Sequence, residues 1–172
     1  RLCLVEVEQD GRRRVHTSCS FPVADGIKVF TDTDLLRRHR RMGAELLRAR
    51  CPNVKEVQDR ARKLGVESGD RFKKKDEGCI LCGLCTRACE KVVGVSAISF
   101  VGRGPDKEVG TPFLDKSEVC IGCGSCAFVC PVGFIKIEED ENTRRLPQWK
   151  VEFEIARCKK CGQKIGPKKE LE

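Results

Sequence analysis

Two stretches of the sequence decide its fold: Cys79-Ile-Leu-Cys82-Gly-Leu-Cys85-Thr-Arg-Ala-Cys89 and Cys120-Ile-Gly-Cys123-Gly-Ser-Cys126-Ala-Phe-Val-Cys130. They repeat one pattern of four cysteines, and the second copy follows the first at an offset of 41 residues (120 − 79). A short apolar segment follows each copy, at residues 97–100 and 134–137, and its composition predicts a strand. A loop with glycine and proline, residues 101–117, joins the copies. The repeat predicts a module of two similar halves.

The spacing C-x2-C-x2-C-x3-C is typical of iron–sulfur ligation. Three closely spaced thiolates bind one [4Fe-4S] cluster, and in two-cluster ferredoxins the fourth cysteine ligates the other cluster. Structural zinc and disulfides fit less well, because each run supplies three cysteines together and a more distant fourth. Pro131 follows the second run but Glu90 follows the first, which predicts a less constrained turn there. The predicted ligands are Cys79, Cys82, Cys85 and Cys130 for the first cluster, and Cys120, Cys123, Cys126 and Cys89 for the second.

The composition supports a metal-stabilised protein in a reducing compartment. The chain has 172 residues, 13 cysteines and a formal net charge of +8. Its length predicts one domain or two small ones. No apolar run approaches the ~20 residues of a membrane span, and no signal peptide opens the sequence, so a cytoplasmic location is expected. Two bound clusters with eight thiolates would lower the charge to about +4.

Helices and strands are expected on both sides of the cysteine runs. The predicted elements are a strand over residues 2–8 with a turn at Asp10-Gly11, a helix capped by Asp32 or Thr33 and ended by Pro52, a helix from Asn53 to Gly65, a linker over residues 68–77, and a strand through Val151, Phe153 and Ile155. The last strand leads to Cys158-Lys-Lys-Cys161-Gly162.

The amino-terminal region resembles a known family. The stretches Arg1-Leu-Cys3-Leu-Val-Glu-Val and Ser18-Cys19-Ser-Phe-Pro-Val-Ala-Asp-Gly26 are similar to the iron–sulfur subunits of NADH-dependent hydrogenases, formate dehydrogenases and the large electron-input subunit of respiratory complex I. The resemblance implies that Cys3 and Cys19 are two ligands of a [2Fe-2S] cluster. The other two ligands would precede Arg1, so we expect this segment to begin inside its first domain and to hold an incomplete [2Fe-2S] site.

The resemblance does not extend to a further cluster that the family holds through one His and three Cys residues. Cys51 occupies the histidine position, and the other three positions hold Lys55, Gln58 and Leu64. We therefore expect Cys51 to be a small buried side chain rather than a ligand.

Cys158 and Cys161 have the spacing of half a zinc site. We interpret them as part of a zinc ribbon whose second pair lies downstream, with unligated thiols or a redox dithiol as the alternatives. His39 lies among arginines that predict a solvated basic helix face or, alternatively, a docking face for an acidic subunit. His16 receives no role, and Gly102-Arg-Gly104 lacks the strand and helix that a dinucleotide site needs.

These observations predict an α+β protein. The expected regions are a partial [2Fe-2S] segment at 1–33, a helical pair and linker at 34–75, a two-[4Fe-4S] ferredoxin domain at 76–140, and a strand with a half zinc ribbon at 141–172. The predicted function is electron transfer to or from an oxidoreductase partner, which would carry the catalytic centre. The alternative is a metal-stabilised module that binds nucleic acid, although the basic stretch lacks interleaved aromatic residues, so no nucleic acid is expected.

Overall fold

The chain divides into two units, and the first contains three strands and two helices. The computed structural model describes residues 2–67, 71–72 and 77–171, and two units divide the chain, Arg1–Ile80 and Leu81–Glu172. The predicted linker and the boundary after residue 75 lie largely outside the described residues. The first unit contains strands β1 (Leu4–Gln9), β2 (Arg12–Thr17) and β3 (Lys28–Phe30), followed by helices α1 (Asp34–Arg50) and α2 (Lys55–Lys63).

The predicted turn at Asp10-Gly11 is confirmed. Gln9 pairs with Arg12, so two residues connect β1 to β2, and both have a positive φ, 52° for Asp10 and 70° for Gly11. This is the conformation that a tight hairpin requires and that Asp-Gly adopts readily. Strand β3 pairs with the other edge of β1, giving the order β2-β1-β3. The strand predicted for residues 2–8 is therefore the central strand of a three-stranded sheet.

Helix α1 begins and ends where the sequence predicts. Thr33 is its N-cap, and the Thr33 hydroxyl oxygen accepts the Leu36 N–H at 3.3 Å. The helix ends at Arg50, directly before Cys51-Pro52. A proline disfavours helical backbone angles at the residue before it, which here is Cys51. Helix α2 differs from the prediction, since its N-cap is Val54 and not Asn53. The Gln58 side chain donates to the Pro52 carbonyl at 2.7 Å, so a residue inside the helix stabilises this turn.

The Thr33 cap gives a testable stability effect. The Thr33 hydroxyl also donates to the buried Glu6 carboxylate, which links α1 to β1. Thr33→Ala should lower the free energy of unfolding by about 1–2 kcal/mol, because it removes the cap and one partner of a buried carboxylate. Anaerobic urea denaturation monitored by circular dichroism measures this change. Thr33→Ser keeps the hydroxyl and should retain most of the stability; an equal loss in both variants would contradict a hydroxyl-based effect.

The second unit contains short helices and two small sheets. Its helices are α3 (Leu84–Arg87), a π-helix (Ala88–Val93) that continues α3, and α4 (Ser125–Phe128), with 3₁₀ turns at Gly104–Asp106, Pro112–Leu114, Pro147–Trp149 and Lys168–Glu170. Its strands are β4 (Ser99–Val101), β5 (Glu108–Gly110), β6 (Glu138–Glu139), β7 (Thr143–Leu146), β8 (Val151–Arg157) and β9 (Lys164–Pro167). Strands β4 and β5 pair with each other, and the other four form an antiparallel sheet in chain order.

The two strands predicted after the cysteine runs have different outcomes. The first exists but is displaced to Ser99–Val101, where it pairs with β5, a strand inside the stretch predicted as a loop. The second prediction is wrong, because residues 134–137 form no strand. The Gln148 side chain instead accepts the Lys136 N–H and donates to the Phe134 carbonyl, both at 3.1 Å. One side chain thus satisfies backbone groups that a neighbouring strand would otherwise bond.

The larger sheet carries the main apolar core of the second unit. The strand predicted through Val151 and Ile155 is confirmed as β8, and both side chains are buried. Leu146 and Trp149, which precede β8, are also buried, with 1% and 2% exposure. Helices and strands therefore occur together as the α+β prediction requires. In the described part of the chain, no helix is long and apolar enough to cross a membrane.

Candidate iron–sulfur centres

The repeated sequence produces a repeated backbone. Leu81 and Gly83 have φ angles of 54° and 75°, and the equivalent Gly122 and Gly124 have 76° and 81°. Residues with a positive φ in such a loop let several N–H groups point into one concave surface, which suits anionic groups such as iron–sulfur clusters. A Cβ at Gly124 would lie 2.7 Å from Ile137 Cδ1, so the Ile137 side chain would have to move to admit a larger residue. The two runs therefore build similar cradles.

The two cradles differ after their fourth cysteine. In the first run α3 continues as the π-helix through Cys89 to Val93, whereas α4 ends at Phe128, before Cys130. Proline cannot continue a helix, so Pro131 is consistent with an early exit, while Glu90 permits continuation. The sequence predicted a less constrained turn after Cys89, and the structure shows a longer helix there.

The fourth cysteine of each run nevertheless receives the same kind of hydrogen bond. The Ala97 N–H donates to Cys89 Sγ and the Phe134 N–H donates to Cys130 Sγ, both at 3.2 Å. The donor follows its cysteine by eight residues in the first run (97 − 89) and by four in the second (134 − 130). The π-helix accommodates the four additional residues, so both sulfurs keep a backbone donor despite the insertion.

Four cysteines from both runs border one cavity in the second unit. These are Cys120, Cys123 and Cys126 of the second run and Cys89 of the first. The rest of the lining is mainly apolar and includes Val93, Val95, Ala97, Ile98, Leu146 and Trp149. The structure thus brings Cys89 to the three cysteines with which the spacing predicts that it shares a cluster. Four thiols around an apolar cavity fit the ligand set of a [4Fe-4S] cluster, although ligation by them stays a prediction.

Burial raises the pKa of two of the thiols around this cavity, and nearby donors partly oppose it. Burial raises the pKa of Cys126, against the lowering effect of the Trp149 indole N–H. Burial likewise raises the pKa of Cys120, against the Gly122 backbone N–H. Such thiols ionise when a cationic centre binds, and binding then releases protons. Lys169 lies close enough to Cys120 to favour its thiolate.

Cys130 has a lowered pKa. Burial opposes its ionisation, but backbone N–H groups of residues 132–135 outweigh that effect. Several amide donors on one sulfur favour the thiolate that a cluster ligand must be. The surroundings of Cys130 thus suit a ligand as well.

Cys79, a member of the first predicted ligand set, belongs to the first unit. Within the first unit, the Cys79 carbonyl accepts hydrogen bonds from Arg50 Nε and Cys51 Sγ, both at 3.3 Å. Cys51 is completely buried, and burial raises its pKa to about 11. The expectation that Cys51 is a small buried side chain is confirmed.

Cys3 and Cys19 lie together at the end of the hairpin. Their sulfur atoms are 3.8 Å apart and both residues are exposed. The Ser18 N–H donates to the Cys3 carbonyl at 2.8 Å, which keeps the two segments side by side. The structure therefore brings together the two residues that the family resemblance implies as [2Fe-2S] ligands.

Cys158 and Cys161 lie in the loop between β8 and β9. The Cys158 N–H donates to the Gln163 carbonyl at 2.8 Å, and the Gly162 N–H donates to the Cys158 carbonyl at 2.9 Å. The backbone N–H groups of Cys161 and Lys160 lower the pKa of Cys158. Among the residues that the structure describes, no group of three or more His, Cys, Asp or Glu side chains is placed to hold a single metal ion.

The basic face predicted around His39 is exposed to solvent at Arg37, Arg38, His39 and Arg41, and most of its arginines also bond groups inside the first unit. Arg40 donates to the Thr31 carbonyl at 2.8 Å, Arg41 to Gly65 at 3.2 Å, and Arg48 to Val66 at 3.1 Å. Arg37 pairs with Asp32 at 2.7 Å. A guanidinium has several donors, so arginine can bond backbone carbonyls while it remains part of a polar surface. These contacts hold the arginines in place on the surface of the unit, and docking of an acidic subunit there stays a prediction.

A family model matches one part of the second unit. Residues 119–163 match the family described as "4Fe-4S dicluster domain", a span with the second cysteine run and the pair Cys158 and Cys161. The chain therefore contains a 4Fe-4S domain of the ferredoxin-like type, which the predicted iron–sulfur chemistry requires.

Individual relatives identify the particular group that the chain resembles. It is 36% identical over 159 residues to an NADH-quinone oxidoreductase subunit from Rhizobium meliloti (strain 1021), covering 77% of this chain and 18% of that protein. It is 34% identical over 135 residues to the NADH-ubiquinone oxidoreductase 75 kDa subunit of Reclinomonas americana, covering 64% and 19%. The chain thus spans about a fifth of the length of these curated relatives.

A solved structure shows the same relationship. The crystal structure of an NAD⁺-reducing [NiFe]-hydrogenase in the H₂-reduced state matches with a TM-score of 0.60 and 26% identity, over 77% of this chain and 66% of that chain. The resemblance to complex I and hydrogenase subunits that the sequence indicated is confirmed. Nothing in these comparisons supports the nucleic-acid alternative.

Proposed function

We propose that this chain is an electron-transfer segment of an NADH-linked oxidoreductase and that it carries single electrons through two [4Fe-4S] clusters. The observation that carries the proposal is the position of Cys89, which borders one cavity with Cys120, Cys123 and Cys126. That arrangement supports the crossed ligation of two-cluster ferredoxins, in which the fourth cysteine of one run serves the other cluster. The remaining cysteines, Cys79, Cys82, Cys85 and Cys130, would hold the first cluster.

The protein would supply placement, insulation and tuning of the reduction potential. A bound cluster supplies a centre that accepts or donates one electron. The mainly apolar lining of the cavity would surround the second cluster with a low-dielectric environment. Backbone N–H groups donate to the sulfurs of Cys89 and Cys130 and stabilise negative charge on them. These contributions are the expected ones for a protein that transfers electrons without binding a substrate.

The partners and additional sites are parts of the same proposal. By similarity to the hydrogenase and complex I relatives, the electrons would pass to or from a catalytic or flavin-bearing subunit in the cytoplasm. The 3.8 Å separation of the Cys3 and Cys19 sulfur atoms supports their role as two ligands of a [2Fe-2S] cluster. The loop at Cys158 and Cys161 supports half of a zinc site, closed by a second pair from elsewhere.

Anaerobic reconstitution followed by electron paramagnetic resonance tests the proposal. The chain should hold about eight irons in clusters, four for each [4Fe-4S] centre. After dithionite reduction it should show about two interacting [4Fe-4S]⁺ spins per chain. Iron near half this value with one isolated spin would overturn the two-cluster assignment. Clusters that resist reduction by dithionite would instead indicate a structural role and contradict electron transfer.

A further inference from the structure

The only tryptophan of the chain lies against a predicted cluster ligand. Trp149 ends the 3₁₀ turn Pro147–Trp149 between β7 and β8, and it is 2% exposed. Its indole N–H donates to Cys126 Sγ with an N···S distance of 3.4 Å, and Cys126 is itself buried. Both residues line the cavity with Cys89, Cys120 and Cys123. A side-chain donor thus reaches a sulfur of the second site from a distant part of the sequence.

The surrounding contacts hold the indole in this position. Gln148, the preceding residue, accepts the Lys136 N–H and donates to the Phe134 carbonyl, which ties the turn to the backbone after Cys130. Leu146 is buried at the start of the turn. On the other side, Lys150 has a positive φ of 53°, and its ammonium group donates to the Leu114 carbonyl at 2.7 Å. The donor is therefore placed before any electron arrives, and little reorganisation is needed.

We propose that Trp149 is a tuning residue that selectively raises the reduction potential of the cluster held by Cys120, Cys123, Cys126 and Cys89. This inference rests on the proposed function. Reduction adds one electron and increases the negative charge on the ligating sulfurs, so a hydrogen bond to Cys126 Sγ stabilises the reduced state more than the oxidised state. Burial strengthens the contact because the surrounding dielectric is low.

The effect should be specific to one cluster. Cys85 is the equivalent of Cys126 in the first run, by the offset of 41 residues. Since the chain has no second tryptophan, no other indole N–H is available for Cys85. The lowering influence of the indole on the pKa of Cys126 has the same physical origin, because the N–H favours a negatively charged sulfur. The third cysteine of the second run thus has an indole donor that the third cysteine of the first run cannot have, although the cysteines of the two runs match.

Potentiometric titration of the full, reconstituted chain tests this assignment. Dithionite supplies one electron to each cluster, no bond breaks, and the indole keeps its proton. Trp149→Phe retains an aromatic ring but removes the donor, and it should lower the reduction equilibrium constant of the second cluster by up to about tenfold, or about 59 mV for one electron. The potential of the first cluster should not change. Cys82→Ala, which should retain only the second cluster, identifies the signal that belongs to each site.

A second substitution separates the hydrogen bond from packing. Because Trp149 is the only tryptophan, growth of a tryptophan auxotroph on a fluorotryptophan changes this residue alone. Fluorination makes the indole N–H a stronger donor with little change in shape, so the second cluster should become easier to reduce. Opposite shifts in the two proteins would support the assignment, since a packing effect gives no such reversal. Shifts of the same sign, or less than about a twofold change in Trp149→Phe, would overturn it.

Iron analysis keeps the two proposals distinguishable. If the unmodified chain lacks two [4Fe-4S]⁺ signals, the proposed function fails and the tuning role of Trp149 fails with it. If those signals are present but neither substitution moves the second potential, only the tuning role is wrong. If Trp149→Phe loses iron, the fluorotryptophan protein, which keeps the donor and the ring system, decides the question: an unchanged potential there overturns the proposal.

Discussion

Cys89→Ala should remove the cluster of the second cysteine run, not the cluster of the run in which Cys89 occurs. Cys89 lines the cavity with Cys120, Cys123 and Cys126, and its sulfur already accepts a backbone N–H there. Loss of one thiolate leaves an iron without its ligand, so the reduced variant should show about one [4Fe-4S]⁺ spin instead of about two. Electron paramagnetic resonance with iron analysis measures the loss.

Double variants reveal which cluster has been lost. If Cys89 and Cys123 serve the same cluster, Cys89→Ala combined with Cys123→Ala should lose no more [4Fe-4S]⁺ signal than either single variant. Combined with Cys82→Ala, which disables the first cluster, Cys89→Ala should abolish the signal, because residues that act in different sites have additive effects. A signal of about one spin in the Cys82→Ala/Cys89→Ala variant would contradict crossed ligation.

The sequence was most informative where local chemistry determines the structure. Asp10-Gly11 predicts a two-residue turn because both positions adopt a positive φ, and the structure shows this turn. The repeated cysteine spacing predicts a shared site for Cys89 and the second run, and the cavity brings these residues together. In both cases the required conformation or ligand set follows from a few neighbouring residues.

The sequence was less informative where distant partners determine the structure. Strand β2 is rich in arginine and becomes a strand because β1 pairs along its whole length. Residues 134–137 have strand composition, yet the Gln148 side chain takes their backbone hydrogen bonds. The contact of Trp149 with Cys126 joins residues 23 positions apart. The sequence indicates only that the chain has one tryptophan, and it does not indicate which residue that tryptophan contacts. Tertiary packing determines that contact.

Removal of the clusters should unfold the cysteine runs while the helical pair of the first unit persists. Few large apolar side chains are buried along the runs, where Cys85, Ala88 and Cys126 provide much of the interior. Metal–thiolate bonds must supply the stability that apolar burial does not, because cluster binding and folding are coupled. In contrast, α1 and α2 pack through Ala44, Ala61 and other apolar residues without any predicted ligand.

Hydrogen exchange measured by mass spectrometry provides the direct comparison between the loaded chain and the chain stripped anaerobically by chelator and oxidant. Exchange of the amides in residues 82–130 should accelerate by at least about 1,000-fold, which corresponds to about 4 kcal/mol of lost stability. The amides of α1 serve as an internal control and should change much less, since the Ala44–Ala61 contact does not depend on a cluster. Equal protection around Cys85 with and without iron would contradict cluster-dependent folding. Equal loss in α1 would mean instead that the clusters stabilise the first unit as well, and the separation of the chain into a metal-dependent part and an apolar part would be wrong.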